Sequence, residues 1–205
     1  MRWVKTPNWI QYLFPNLVWK IPETQKIIYF TFDDGPTPEV TPLVLDLLFQ
    51  YDAKATFFCT GWKAEKYPGL VESIRKAGHV VGNHGYEHKD GFFTKASVYL
   101  MNAENGANVT MSNLFRPPYG RITPYQIKRL GSKYKIIQWS IMSMDFSKKC
   151  SIADCYKNVV AHLFPGDIVL FHDTLQASDC LLPVLPRLLS YFQGIGYEFR
   201  ALDNL

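Results

Sequence analysis

The sequence predicts an α/β fold: a distorted or incomplete (β/α) barrel of about seven parallel strands. Three observations predict it. Short β-rich runs alternate with helical runs along the chain, the pattern of a parallel sheet with crossover helices. About seven such runs in 205 residues are too few for a closed eight-stranded barrel, which takes about 250 residues. Polar residues follow directly on the apolar runs, at the strand ends where such folds bind ligands.

The elements follow in order. Residues 26–32 (KIIYFTF) are rich in β-branched and aromatic side chains and read as a strand. Val40, Leu43, Val44, Leu47 and Leu48 repeat at helical spacing within 38–51. Residues 54–59 read as a strand, and 64–77 as a helix ended by Gly78. A short strand at 79–82 precedes a helix at 94–108 that Gly106 weakens. Residues 114–116 make a brief strand closed by Pro117 and Pro118. A helix at 124–130, a strand at 135–140, a helix at 151–163 and a strand at 168–171 come next. A helix at 181–192 and a strand at 197–200 complete the chain.

Composition narrows the classes of function. Hydrophobic residues make up 47% and charged residues 20%, a globular composition of one domain rather than a disordered one. Lys and Arg number 22 against 18 Asp and Glu, a net charge of +4. These charges are scattered, without the basic block of a nucleic-acid tail. No run approaches 18 apolar residues, so no transmembrane helix is expected. Four cysteines do not make a disulfide framework. Cys59 reads as a buried thiol, and Cys150 and Cys155 lack zinc-finger partners. A Cys150–Cys155 or Cys150–Cys180 disulfide stays open. Residues 1–25 are aromatic and basic. Asn8, Gln11, Pro15 and Asn16 interrupt them, so no signal peptide is expected. Trp3, Trp9, Tyr12, Phe14 and Trp19 read as a strap packed across the domain, with contact to a membrane surface as the alternative.

The strand ends carry the chemistry. The first strand runs into Asp33-Asp34-Gly35-Pro36. Adjacent carboxylates after an apolar strand repel unless something compensates them; the same residues also make good turn chemistry. After the third strand, His84 and His88 are spaced i, i+4 and share a face if the segment is helical. A pair of this kind is often a surface feature; with a carboxylate from another strand end it would complete a three-ligand metal site with an open position. Arg116 lies beside two stiffening prolines, where it can be held against a carboxylate. The sixth β-like run ends in His172-Asp173.

Taken in order, these residues resemble the polysaccharide deacetylase family, carbohydrate esterase family 4, with its NodB-type domain. The resemblance covers roughly residues 25–200. It implies that residues 26–205 are the catalytic domain and residues 1–25 an aromatic segment packed on it. By resemblance, Asp33 is the general base, and Asp34, His84 and His88 hold a divalent metal. In Arg116-Pro117-Pro118-Tyr119-Gly120, the arginine orients the base and the Tyr119 backbone N–H binds the oxyanion. Asp145 tunes His172, the general acid; Leu170 and Phe146 line the substrate pocket with Tyr119. Three positions depart from the family pattern: Gly85 for Ser or Thr, Phe146 for Trp, and Met142 where some relatives carry Asp.

The resemblance implies a metal-dependent hydrolase that removes N-acetyl groups from a peptidoglycan- or chitin-like N-acetylglucosamine glycan, releasing acetate. The alternatives are an O-acetyl esterase of the xylan type and a catalytically silent carbohydrate-binding relative. The ligand set suits Zn²⁺, with Co²⁺, Ni²⁺ and Fe²⁺ compatible. The expected partner is an acetylated glycan and not nucleic acid. The chain reads as cytoplasmic by its missing signal and as a cell-envelope protein by its substrate.

Overall fold

The computed structural model describes residues 3–203. In chain order it holds α1 (Asn8–Leu13), β1 (Ile27–Asp33), α2 (Thr41–Gln50), β2 (Ala55–Cys59), α3 (Gly61–Lys66) and α4 (Pro68–Lys76). Then come β3 (Val80–Asn83), α5 (Ala96–Thr110), β4 (Leu114–Phe115), α6 (Pro124–Leu130), β5 (Lys135–Ile136) and β6 (Ile141–Met142). α7 (Ile152–Val160), β7 (Ile168–His172), α8 (Leu175–Gly194) and β8 (Glu198–Phe199) follow.

Seven strands run β5-β4-β3-β2-β1-β7-β6, and β8 pairs with the start of β1. Every pair of strands is parallel. The sheet curls into an open half-barrel whose free edges, β5 and β6, are consecutive in the chain. Alternation along the strands divides its two faces. Ile28, Phe30 and Phe32 of β1 join Phe57 of β2 and Phe171 of β7 in the core shared with the helices. Ile27, Tyr29, Phe58, Ile168 and Leu170 pack in a separate cluster on the inner face. Asp33 is in phase with Ile27 and Tyr29, and His172 with Ile168 and Leu170, so both reach the inner face.

Three expected elements change. The strand expected at 135–140 is two strands. Ile137 N–H still bonds the Phe115 carbonyl of β4, whereas Ser140 N–H bonds Ile168 beside β7. The stretch between therefore crosses the opening of the half-barrel instead of continuing one ladder. The helix expected at 64–77 breaks before Pro68, which keeps the residue before it out of the α region and starts α4 as its first residue. α8 begins near Leu175 and runs through Pro183 and Pro186. Its stripe of Ala177, Leu181, Val184, Leu185, Leu188 and Phe192 is buried, and that packing outweighs the two missing backbone donors.

The segment before β1 lies across the opening. The Val4 carbonyl accepts from Met142 N–H, and Thr6 N–H donates to Ser140. Val18 N–H donates to Ile136, and the Val18 carbonyl accepts from Gln138 N–H. The strap thus covers both edges of the sheet, which would otherwise offer unpaired backbone groups.

Candidate active site

β1 ends in Asp33 and β7 in His172, and the strand register places the two side by side. Arg116, directly after β4, is fully buried against the Phe58 ring, 4.0 Å from its centroid. Its Nη1 donates to Asp33 Oδ1 and to Thr31 Oγ1, both at 2.7 Å, and its Nη2 donates to the Gln138 carbonyl at 3.0 Å. Burial lowers the Arg116 pKa, and the Asp33 charge opposes that shift. The pair fixes Asp33 by one oxygen and leaves Oδ2 facing His84 Nε2 at 3.7 Å.

His84 Nδ1 lies 2.8 Å from the Arg116 carbonyl oxygen. A carbonyl only accepts, so Nδ1 carries the proton and Nε2 presents a lone pair. That lone pair faces Asp34 Oδ1 at 3.4 Å, and His88 Nε2 reaches the same oxygen at 3.0 Å. Asp34 Oδ1 is buried with no hydrogen-bond partner among the described residues. The three ligand atoms lie within 4.8 Å of one another. A carboxylate oxygen facing two imidazole nitrogens, with no donor to satisfy it, fits a divalent cation, and two imidazoles with one carboxylate suit zinc.

The two histidines do not meet on a helix. They converge through a loop with left-handed backbone at Gly85 (φ 73°) and His88 (φ 52°). Asn83 Oδ1 accepts the Gly85 N–H, and Asn102 Oδ1 accepts the Glu87 N–H, both at 2.8 Å. A side chain at Gly85 would bring Cβ within 2.7 Å of the Asn102 amide, so glycine suits this position on two counts. Gly106 of α5 has a matching reason. A Cβ there would strike Asn83 Oδ1 and the Gly85 backbone, so the glycine lets the helix press against the loop. Asn83 and Asn102 were silent in the sequence, where lone asparagines carry no spacing signal.

His172 is held by Asp145. The imidazole Nδ1–H donates to Asp145 Oδ1 at 2.9 Å, and the His172 backbone N–H donates to Oδ2 at 2.7 Å. Phe146 packs edge-on against the imidazole, with centroids 4.9 Å apart. Tyr119 lies edge-on to His88 at 4.5 Å, with left-handed backbone (φ 59°) and an exposed ring. Leu170 is buried on the inner face and lines the cleft together with Met142. The cleft, about 730 Å³, takes in Asp33, Asp34, His84, His88 and His172. Every site residue expected from the sequence therefore lies in or directly behind one cleft.

Asp173, directly after His172, has a role that the sequence does not show. It is fully buried, and Thr41 Oγ1 donates to its Oδ2 at 2.5 Å. Burial pushes its carboxyl up to about 7, against the pull of Thr41 and Lys63. A Cβ on Gly35 would strike this carboxylate, so Asp173 supports the turn that carries Asp34. All four cysteines are free; the open disulfide pairings are not formed.

Residues 20–134 match the family described as polysaccharide deacetylase. A peptidoglycan-N-acetylglucosamine deacetylase of Bacillus cereus is 37% identical over 179 residues, covering 82% of this chain and 65% of that protein. This chain therefore spans just under two thirds of that relative. A second protein of that description from Bacillus cereus is 32% identical over 209 residues, covering 92% of each chain. Among solved structures, the Bc1960 peptidoglycan N-acetylglucosamine deacetylase superposes with a TM-score of 0.88 at 30% identity, covering 96% of this chain and 95% of that one. With its half-barrel, its ordered strand-end residues and these matches, the chain belongs to the polysaccharide deacetylase family.

Proposed function

We propose that this protein is a metal-dependent amide hydrolase that removes N-acetyl groups from an N-acetylglucosamine glycan, with peptidoglycan as the first candidate polymer. One observation carries the reading. Asp33 and His172 sit side by side, each fixed from behind by a partner, and each keeps one reactive atom on the cleft beside the Asp34, His84 and His88 cluster.

A divalent cation held by that cluster would polarise the acetyl carbonyl and acidify water. The chain's own residues do the rest. Asp33 Oδ2 takes the proton from the attacking water while Arg116 holds Oδ1. The new C–O bond makes a tetrahedral oxyanion, and the Tyr119 backbone N–H donates to it. As the C–N bond breaks, His172 Nε2–H gives its proton to the departing amine, and Asp145 favours the imidazolium that can do so. Acetate and a free amino sugar result.

Acetate release tests the reading. Peptidoglycan and N-acetylglucosamine oligomers are compared with acetylated xylan, with Zn²⁺ or Co²⁺ added and with a chelator control. Release from the amide substrates that the chelator abolishes is expected. Release from xylan alone makes the protein an O-acetyl esterase, and no release from any glycan makes it a silent relative.

A further inference from the structure

The cleft does not end at the reacting residues. Its far wall is built by the strap, from Trp3, Ile10 and Trp19. We propose that this wall is a glycan-binding platform that stacks sugar units adjoining the one being deacetylated. The proposal rests on the reading above, because it takes the acetylated amino-sugar chain as the ligand.

Four features support it. First, the wall is fixed. Thr6 on the strap donates to the Trp139 carbonyl through Oγ1 at 2.9 Å and to Ser140 through N–H at 2.8 Å. The platform is therefore held before the ligand arrives, which lowers the ordering cost of binding. Second, the rings present apolar faces. Trp19 Nε1–H donates to the Phe14 carbonyl at 3.2 Å, which occupies its one polar atom. Trp3 is 42% exposed although the residue after it is tied to β6. It meets Trp9 edge to face at 6.2 Å and not in a parallel stack, so at most one face of its ring is covered by that contact. Third, these three side chains carry no charge. A pyranose ring, with apolar C–H faces and hydroxyls at its rim, matches such a wall better than an ionic ligand does. Fourth, the wall is continuous with the site. Trp3, Ile10 and Trp19 line the same cleft as Asp33 and His172, so a chain longer than one sugar has this wall within the opening it enters.

The test is calorimetric titration of the zinc-loaded protein with N-acetylglucosamine dimer and pentamer, in an Asp33→Asn background that stops turnover. Trp3→Ala and Trp19→Ala are each expected to weaken pentamer binding about five- to tenfold, the scale of losing one stacked ring. The loss for the dimer is expected to be smaller, and Trp3→Phe should restore most of the pentamer affinity. Tyr12→Ala, on the outer side of α1, should bind as the parent does. Equal losses for both lengths, no loss, or no pentamer binding by the parent would overturn the platform. If Trp19→Ala lowers the melting temperature, the exposed Trp3 carries the test. Acetate release by the unmodified protein is read separately. Length-dependent binding without release removes the deacetylase reading and keeps the platform; release with unaltered affinities in the Trp variants does the reverse.

Discussion

Asp145 grips His172 at two points, accepting from the ring Nδ1–H at 2.9 Å and from the backbone N–H at 2.7 Å. Burial lowers the imidazole pKa, but the Asp145 carboxylate outweighs it, and the result is pushed up to about 9. In the proposed mechanism the acid is the protonated ring. Activity should therefore hold as pH rises through 7 and 8 and fall as it passes about 9.

Asp145→Asn should move that descending limb. Asparagine keeps the shape but removes the charge that raised the imidazole. The limb in a profile of kcat/KM against pH should shift down by at least about one unit. An unmoved limb would assign the titration to another group.

Arg116 should separate stability from catalysis. Arg116→Met leaves Asp33 buried beside no counter-charge, and removing one partner of a buried pair typically costs about 3–5 kcal/mol. Arg116→Lys keeps the charge but loses the fork that reaches Asp33, Thr31 and Gln138 together. The lysine variant should fold and lose kcat by about two orders of magnitude. Denaturant midpoints and steady-state kinetics check the two halves.

Metal retention should split the adjacent aspartates. Asp34→Asn and His84→Ala should lose bound zinc on dialysis and lose acetate release with it. Asp33→Asn should keep the zinc and lose turnover. Elemental analysis of dialysed protein is the readout, and zinc lost equally from all three would dissolve the division of roles.

Two helical glycines should respond in opposite directions to Ala. Gly69 of α4 faces open space, so Gly69→Ala should stabilise by about 0.5–1 kcal/mol through helix propensity. Gly106→Ala gains the same propensity but strikes Asn83 and the Gly85 backbone. Overpacking of that kind costs about 1–3 kcal/mol, so the clash wins. Because the struck loop carries His84, zinc affinity should fall as well. Thermal melts with and without zinc compare them.

Much of this site was legible because strand ends punish polar residues. Asp33, Arg116 and His172 stood out since each interrupts or closes an apolar run, and the family order tied them together. Whether His84 and His88 sit on a helix was left open by the sequence, because spacing of four is shared by helices and by tight loops. The left-handed backbone at Gly85 and His88 distinguishes them, and neither residue reports its own φ from the sequence. The break between β5 and β6 was hidden for a similar reason. Residues 135–140 have strand composition throughout, and what splits them is the choice of two different neighbours. Asp173 was hidden behind His172, because a carboxylate after a strand reads as a surface turn until Thr41 and Gly35 are seen to enclose it.

The strap has a consequence for the order of folding. Val4, Thr6 and Val18 find their partners at residues 136–142, far along the chain from the strap itself. Loop closure over that separation is slow and gains nothing until the later strands exist. During synthesis these residues must wait until residues 136–142 have been made before they can dock. A segment that precedes every strand of the sheet is thus among the last to be placed. The open edge that it covers is the stretch of this protein most exposed to mispairing on the way to the native state.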